Sequence, residues 1–188
     1  MASSRDRIIE AALSLVAQQG LSEVTMVDIA RTAGVARQTL YNHYRDIPSI
    51  IVEAATRHND VAIAELDRAL AVVDTPSDRI RQLIRHIAAI STHPGHTLDS
   101  HQGLPSEVRD HLAGFDHAVE GHIRIALLEG IERGEFRADL SIEADVVLVH
   151  HLLRGLSSLV ASDPAEAPRI VADATRTTLA ALEQPQRP

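Results

Sequence analysis

The chain has 188 residues, 45% hydrophobic and 23% charged, which excludes wholesale disorder and allows one domain or two modest ones to bury a core. It has no cysteine, which excludes disulfides and thiolate-held metals, and its only aromatics besides histidine are Tyr41, Tyr44, Phe115 and Phe136, so the core must be Leu, Ile, Val and Ala. The net charge of −8 lies outside residues 1–58, where six Arg balance six acids; with no lysine anywhere, phosphate contacts must come from Arg, hydroxyls and backbone amides.

The opening stretch MASSRDRIIEAALSLVAQQG sets charges beside apolar residues at helical spacing, which a signal peptide does not. A first helix is predicted over residues 4–19, with a Ser at the N-cap, Asp6 in the first turn and Gly20 as the stop. A second opens at Thr25, where Thr25 and Asp28 have the spacing of a capping box, and Gly34 ends it by permitting a left-handed turn. Residues 36–44 make a third. Leu40 and Tyr44 share its inner face, leaving Arg37, Gln38, Thr39, Tyr41, Asn42 and His43 around the rest. A solvated helix face usually carries Glu and Lys, and this one carries neither. Two short helices joined by Ala-Gly-Val, the second crowded with hydrogen-bonding groups, form the pattern of a helix-turn-helix that reads double-stranded DNA.

Pro48 suits the first turn of a fourth helix, and Ile47 before it should be extended. No breaker follows until Asp74-Thr75-Pro76, so this helix should be long, close to 40 Å. Another runs over 77–90, followed by the Pro-, Gly- and His-rich loop THPGHTLDSHQGLP. Helical patterns resume over 106–111 and 115–133, then over 141–161 and 165–183, leaving QPQRP to fray. No strand pattern appears. The longest apolar stretch, 144–161, contains Asp145, His150, His151 and Arg154, so no membrane span is expected. Its apolar residues point nearly all round the axis, so that helix should be buried on several sides. The expected fold class is all-α, with an N-terminal three-helix domain over residues 1–46 and a helical domain over 47–188.

The run Met-Val-Asp-Ile-Ala-Arg-Thr-Ala-Gly-Val, then Thr-Leu-Tyr-Asn-His-Tyr, then an apolar helix start, resembles the N-terminal domain of TetR-type transcriptional repressors. The resemblance covers residues 7–52. It implies a cytoplasmic, non-enzymatic regulator, needing no cofactor, that binds a palindromic operator as a homodimer and lays its third helix in the major groove. Arg37 and Gln38 stand where base-facing side chains occur; Arg37 suits guanine O6 and N7, and Gln38 suits adenine. Thr25, Thr39, Tyr41 and His43 stand where phosphate contacts occur, and Asn42 fits either role. Capping alone would also explain Thr25. Three departures stand out: Ala36 replaces a Ser or Thr cap, Gln38 sits where a small residue or Pro is common, and Ile47 replaces a phosphate-contacting Lys. Arg45 is expected to supply the missing charge.

The resemblance further implies that residues 47–188 bind an unidentified small-molecule effector and that the last two helices pair with their symmetry mates. His86, Phe115, His122, Arg124, His150 and Arg154 are the candidate effector contacts, each also open to a purely structural role. Eleven histidines raise a metal site, but neither His93, His96 and His101 in the loop nor His117 and His122 on one helix form a compact ligand motif, so none is expected. Two other readings stay open on the sequence: a His-rich metal-binding or enzymatic helical protein, and a ligand-binding module whose DNA function has decayed.

Overall fold

The computed structural model describes residues 3–92 and 106–184, and the described residues form eight α-helices with no strand. They divide into two compact units, one holding residues up to 61 together with 106–114, the other holding 62–92 and 115–184.

In the first unit, α1 (Ser4–Gln19) starts at Ser3. The Ser3 hydroxyl accepts the Asp6 N–H at 3.1 Å, and the Asp6 carboxylate accepts the Ser3 N–H at 3.0 Å, which closes a capping box. Gly20, at φ +84°, ends it with its N–H on the Val16 carbonyl. In α2 (Met26–Thr32) Thr25 caps the Asp28 N–H, but only half of the expected box forms. The Asp28 carboxylate is taken by the Thr25 hydroxyl and by Arg31 instead. Gly34, at φ +62°, makes the left-handed turn into α3 (Arg37–His43), so any other residue there would be strained. Leu40 and Tyr44 lie inward against Ile8, Ile29, Ile50 and Ile51, in a core that is aliphatic apart from the tyrosine.

The long helix α4 (Ile47–Leu70) begins at Ile47 itself, one residue before the proline. Asp46 acts as its cap, accepting the Ser49 N–H at 2.9 Å, so Ile47 is already in the first turn, where its own N–H has no intrahelical partner to lose.

The second unit packs the end of α4 with α5 (Pro76–Ser91), most of α6 (Ser106–Glu132), α7 (Ile142–Ser162) and α8 (Ala167–Leu182). Its core is Leu66, Leu70, Ile80, Leu83, Ile84, Ile87, Val119, Ile123, Leu127, Val146, Leu153, Leu156, Val160, Leu179 and Leu182, with Phe136 as the one fully buried aromatic ring. The helical patterns at 106–111 and 115–133 are one helix. Gly114 inside it is a weak breaker, worth about 1 kcal/mol, and no proline interrupts the turn. A Cβ at Gly114 would come within 3.3 Å of the Asn59 side chain, which gives the glycine a packing reason. After α7 the chain makes a short 3₁₀ turn at Pro164–Glu166, so α8 opens two residues later than expected. The loop histidines at 93, 96 and 101 and most of the QPQRP tail lie outside the described residues.

The turn between α6 and α7 depends on one small residue. Phe136 donates its N–H to the Gly130 carbonyl at 3.0 Å, and a Cβ at Gly130 would sit 2.1 Å from the Phe136 ring. Since Phe136 is fully buried, the ring has nowhere to go without repacking. Gly130→Ala is therefore expected to destabilise the protein by about 2–3 kcal/mol, as overpacked cores do, read as a lower midpoint in urea. An unchanged midpoint would show that the ring relaxes freely.

The face of α7 differs from expectation. Val146, Val149, His150, Leu153, Leu156 and Val160 are buried, but Val147, Leu148 and Leu159 are 47%, 65% and 57% exposed. Among the described residues only one side of this apolar helix is covered.

Candidate nucleic-acid interface

The recognition-like surface is the outer face of α3. Leu40 and Tyr44 fasten the helix inward, so Arg37, Gln38, Tyr41, Asn42 and His43 stand exposed together, with Thr39 half-buried beside them. No acid lies on this helix. Gln38 Nε2 donates to Asn42 Oδ1 at 2.9 Å across one turn. Thr25 is exposed, but its hydroxyl is engaged with Asp28. Arg45 is highly exposed and donates to Asp46 at 3.1 Å, so its charge is partly met within the chain. Ala36 supplies no side-chain cap, as its identity requires.

Behind α3 lies a polar network that sequence reading did not find. Arg5 of α1 donates to Glu53 of α4 at 3.1 Å and to the Tyr44 hydroxyl at 3.4 Å, with its guanidinium 5.7 Å from the Tyr44 ring centre. Arg57 bridges Glu53 at 2.6 Å and Asp6 at 2.7 Å. Burial alone would raise the Glu53 carboxyl, but the Tyr44 hydroxyl and the two guanidinium groups outweigh it and hold it below the usual carboxylate range. Apart from the Glu53–Arg57 pair, one turn apart on α4, these contacts span 39 to 51 positions of sequence, so no local pattern announces them.

Asp6 is the most displaced acid of the network. The Ser3 hydroxyl, then Arg57 and the Ser3 backbone, lower its pKa to about 2 from 3.8. A depressed carboxylate stabilises the fold above its unfolded pKa and loses that contribution as pH falls through the folded value. Acid unfolding should therefore steepen between about pH 4 and pH 2, and Asp6→Asn should flatten that segment while leaving the pH dependence above 5 unchanged. Identical acid limbs for both proteins would remove Asp6 from this role.

In the second unit the six candidate effector contacts fall into separate groups. His150 is buried, with Nε2 3.2 Å from Asp116 and Nδ1 3.0 Å from Glu120; Arg154 reaches the same Asp116 at 2.7 Å. His122 lies 2.8 Å from Asp67, and its other ring nitrogen finds no partner among the described residues. His86 is half-buried, and its Nε2 has no partner among the described residues; burial pushes its pKa down, opposed by Glu65. Phe115 packs against the core, and Arg124 is exposed, 3.8 Å from Glu143. Among the described residues no group of three or more His, Asp or Glu is placed to hold a metal. Beside α7 runs a groove of about 630 Å³, floored by Leu152, Leu156, Leu159, Ile170 and Ala174 and edged by Asp163, Glu166, Arg169 and Asp173. By length and hydropathy α7 is sufficient to cross a membrane, but His150 meets its acidic partners on the inner face of that helix.

Residues 8–54 match the family model described as bacterial regulatory proteins of the tetR family. The chain is 26% identical over 159 residues to the HTH-type transcriptional repressor KstR2 of Mycolicibacterium smegmatis, covering 81% of this chain and 75% of that protein. It is 36% identical over 90 residues to an HTH-type transcriptional regulator of Mycobacterium tuberculosis (strain CDC 1551 / Oshkosh), covering 48% of this chain and 44% of that one. Among solved structures, FadR of Bacillus subtilis in complex with stearoyl-CoA superposes with a TM-score of 0.78 at 15% identity, covering 93% of this chain and 97% of that one, a likeness of fold.

Proposed function

Since this chain is a TetR-type helix-turn-helix transcriptional regulator, with the family's DNA-binding domain at residues 8–54, we propose that it binds a palindromic operator as a homodimer and represses until a small molecule releases it. The observation that carries this is the outer face of α3: five exposed hydrogen-bonding side chains with no acid among them, on a helix held rigidly by Leu40 and Tyr44. Such a face suits the major groove, where base edges offer donors and acceptors, and Arg37 and Gln38 are its base-reading residues. Thr25, Thr39, Tyr41, His43 and Arg45 supply phosphate contacts, and the protein acts in the cytoplasm beside its DNA.

Two copies are needed to read a palindrome, with recognition helices about 34–36 Å apart. The half-covered α7 and the apolar groove beside α8 support pairing of residues 47–188 through those two helices. The effector binds the same C-terminal domain. It works only by favouring the conformation that does not fit DNA, because equal affinity for both states shifts nothing. The stearoyl-CoA of the FadR structure supports small-molecule binding on this fold and does not identify the ligand here.

The direct test is a gel shift and footprint on DNA upstream of the gene encoding this chain. A protected palindrome supports the reading, and absence of sequence-specific binding there and across the genome overturns it.

A further inference from the structure

Gln38 and Asn42 are exposed, one helical turn apart, and joined by the 2.9 Å bond from Gln38 Nε2 to Asn42 Oδ1. A glutamine on a solvent-facing helix otherwise samples many rotamers, and its terminal amide can present either end outward. The bond restricts both freedoms. The Asn42 oxygen accepts only from the N–H₂ end, so this pairing favours one orientation of the Gln38 amide before any DNA arrives.

What the pair leaves unused is specific in chemistry. Gln38 keeps its carbonyl oxygen, an acceptor, and its second amide hydrogen, a donor. In the major groove adenine offers the N6 amino donor next to the N7 acceptor, whereas guanine offers two acceptors, O6 and N7. An amide fixed with oxygen and N–H side by side complements adenine and opposes guanine O6 with a second oxygen. A free amide could turn and lessen that conflict. Asn42 has committed its oxygen to Gln38, which leaves it facing outward mainly as a donor and makes it a poor adenine reader alone.

We infer that Gln38 and Asn42 form one reading unit, with Gln38 contacting a single adenine in each operator half-site and Asn42 acting as the positioning residue that fixes its amide. This rests on the proposed placement of α3 in the major groove. Preorganisation moves the ordering cost into the free protein, so it sharpens base choice without adding a DNA contact.

The experiment measures the affinity of the full chain for operators carrying each of the four bases at every half-site position, selected first from randomised DNA. The proteins compared are wild type, Q38A, N42A, N42D and the double variant Q38A/N42A. In the wild type one position per half-site should prefer adenine over guanine about tenfold. Q38A and N42A should both flatten that preference at the same position, and the double variant should flatten it no further. N42D keeps an acceptor for Gln38 Nε2, so it should retain the adenine preference while its added negative charge lowers affinity for every sequence alike. The inference is overturned if N42A lowers affinity uniformly and leaves the preference intact, if it flattens a different position, or if N42D loses the preference as N42A does. A wild type with no sequence preference at all would overturn the functional reading itself, and this pairing with it.

Discussion

Arg37→Ala should reduce operator affinity by roughly 10- to 100-fold while leaving binding to unrelated DNA nearly unchanged, as removal of a bidentate guanine pairing does. Arg37 is the first residue of α3, is exposed, and makes no ion pair among the described residues, so its guanidinium is not already spent within the chain. The salt dependence separates the two roles an arginine can play here. Replacing a base reader leaves the slope of affinity against salt almost intact, whereas replacing an arginine that neutralises a phosphate makes the slope shallower by about one. Equal reductions on operator and unrelated DNA, with a shallower slope, would place Arg37 on a phosphate and remove it from base reading. The replacement touches no core side chain, so the fold is expected to be unaffected; Leu40→Ala would lower affinity for another reason, by opening a cavity under α3.

That contrast marks what the sequence made legible. Leu40, Tyr44 and the exposed set on α3 follow from spacing alone, because a seven-residue helix has only one inward face. Ser3, Gly20 and Gly34 punctuate the chain through bonds and dihedrals spanning a few residues, and the helix ends fall where those residues stand. The same reasoning failed at Gly114, a weak local breaker through which α6 runs unbroken. It could not find the Arg5, Glu53, Arg57 and Asp6 network, where the α4 pair Glu53–Arg57 is joined to Arg5 and Asp6 only by tertiary approach of α1 to α4. Nor could it say which of the second unit's histidines meet acids, because that depends on how each helix is rotated about its own axis. His150 between Asp116 and Glu120 is a fact of packing, not of pattern.

The exposed side of α7 carries the other large expected effect. Leu148, Leu152, Gly155 and Leu159 recur every three or four residues and form a single stripe, and Leu148 and Leu159 are more than half exposed in one chain. A Cβ added at Gly155 would meet nothing within 4 Å, so the stripe has a shallow centre where a second helix can approach closely. Leu148→Glu with Leu159→Glu should leave the helical content of the chain intact and yield a monomer at micromolar concentration. Each leucine buried in a symmetric interface counts twice, and burying one is worth about 1.5–3 kcal/mol. Operator affinity should fall by on the order of a hundredfold or more, because a monomer holds only one half-site, while affinity for an isolated half-site stays unchanged. Gly155→Leu supplies the control for folding: it adds bulk where the single chain has open space, so a loss of dimer without loss of thermal stability of the monomer assigns the effect to the interface. Sedimentation of the double glutamate variant as a dimer, with full operator affinity, would place the pairing surface elsewhere.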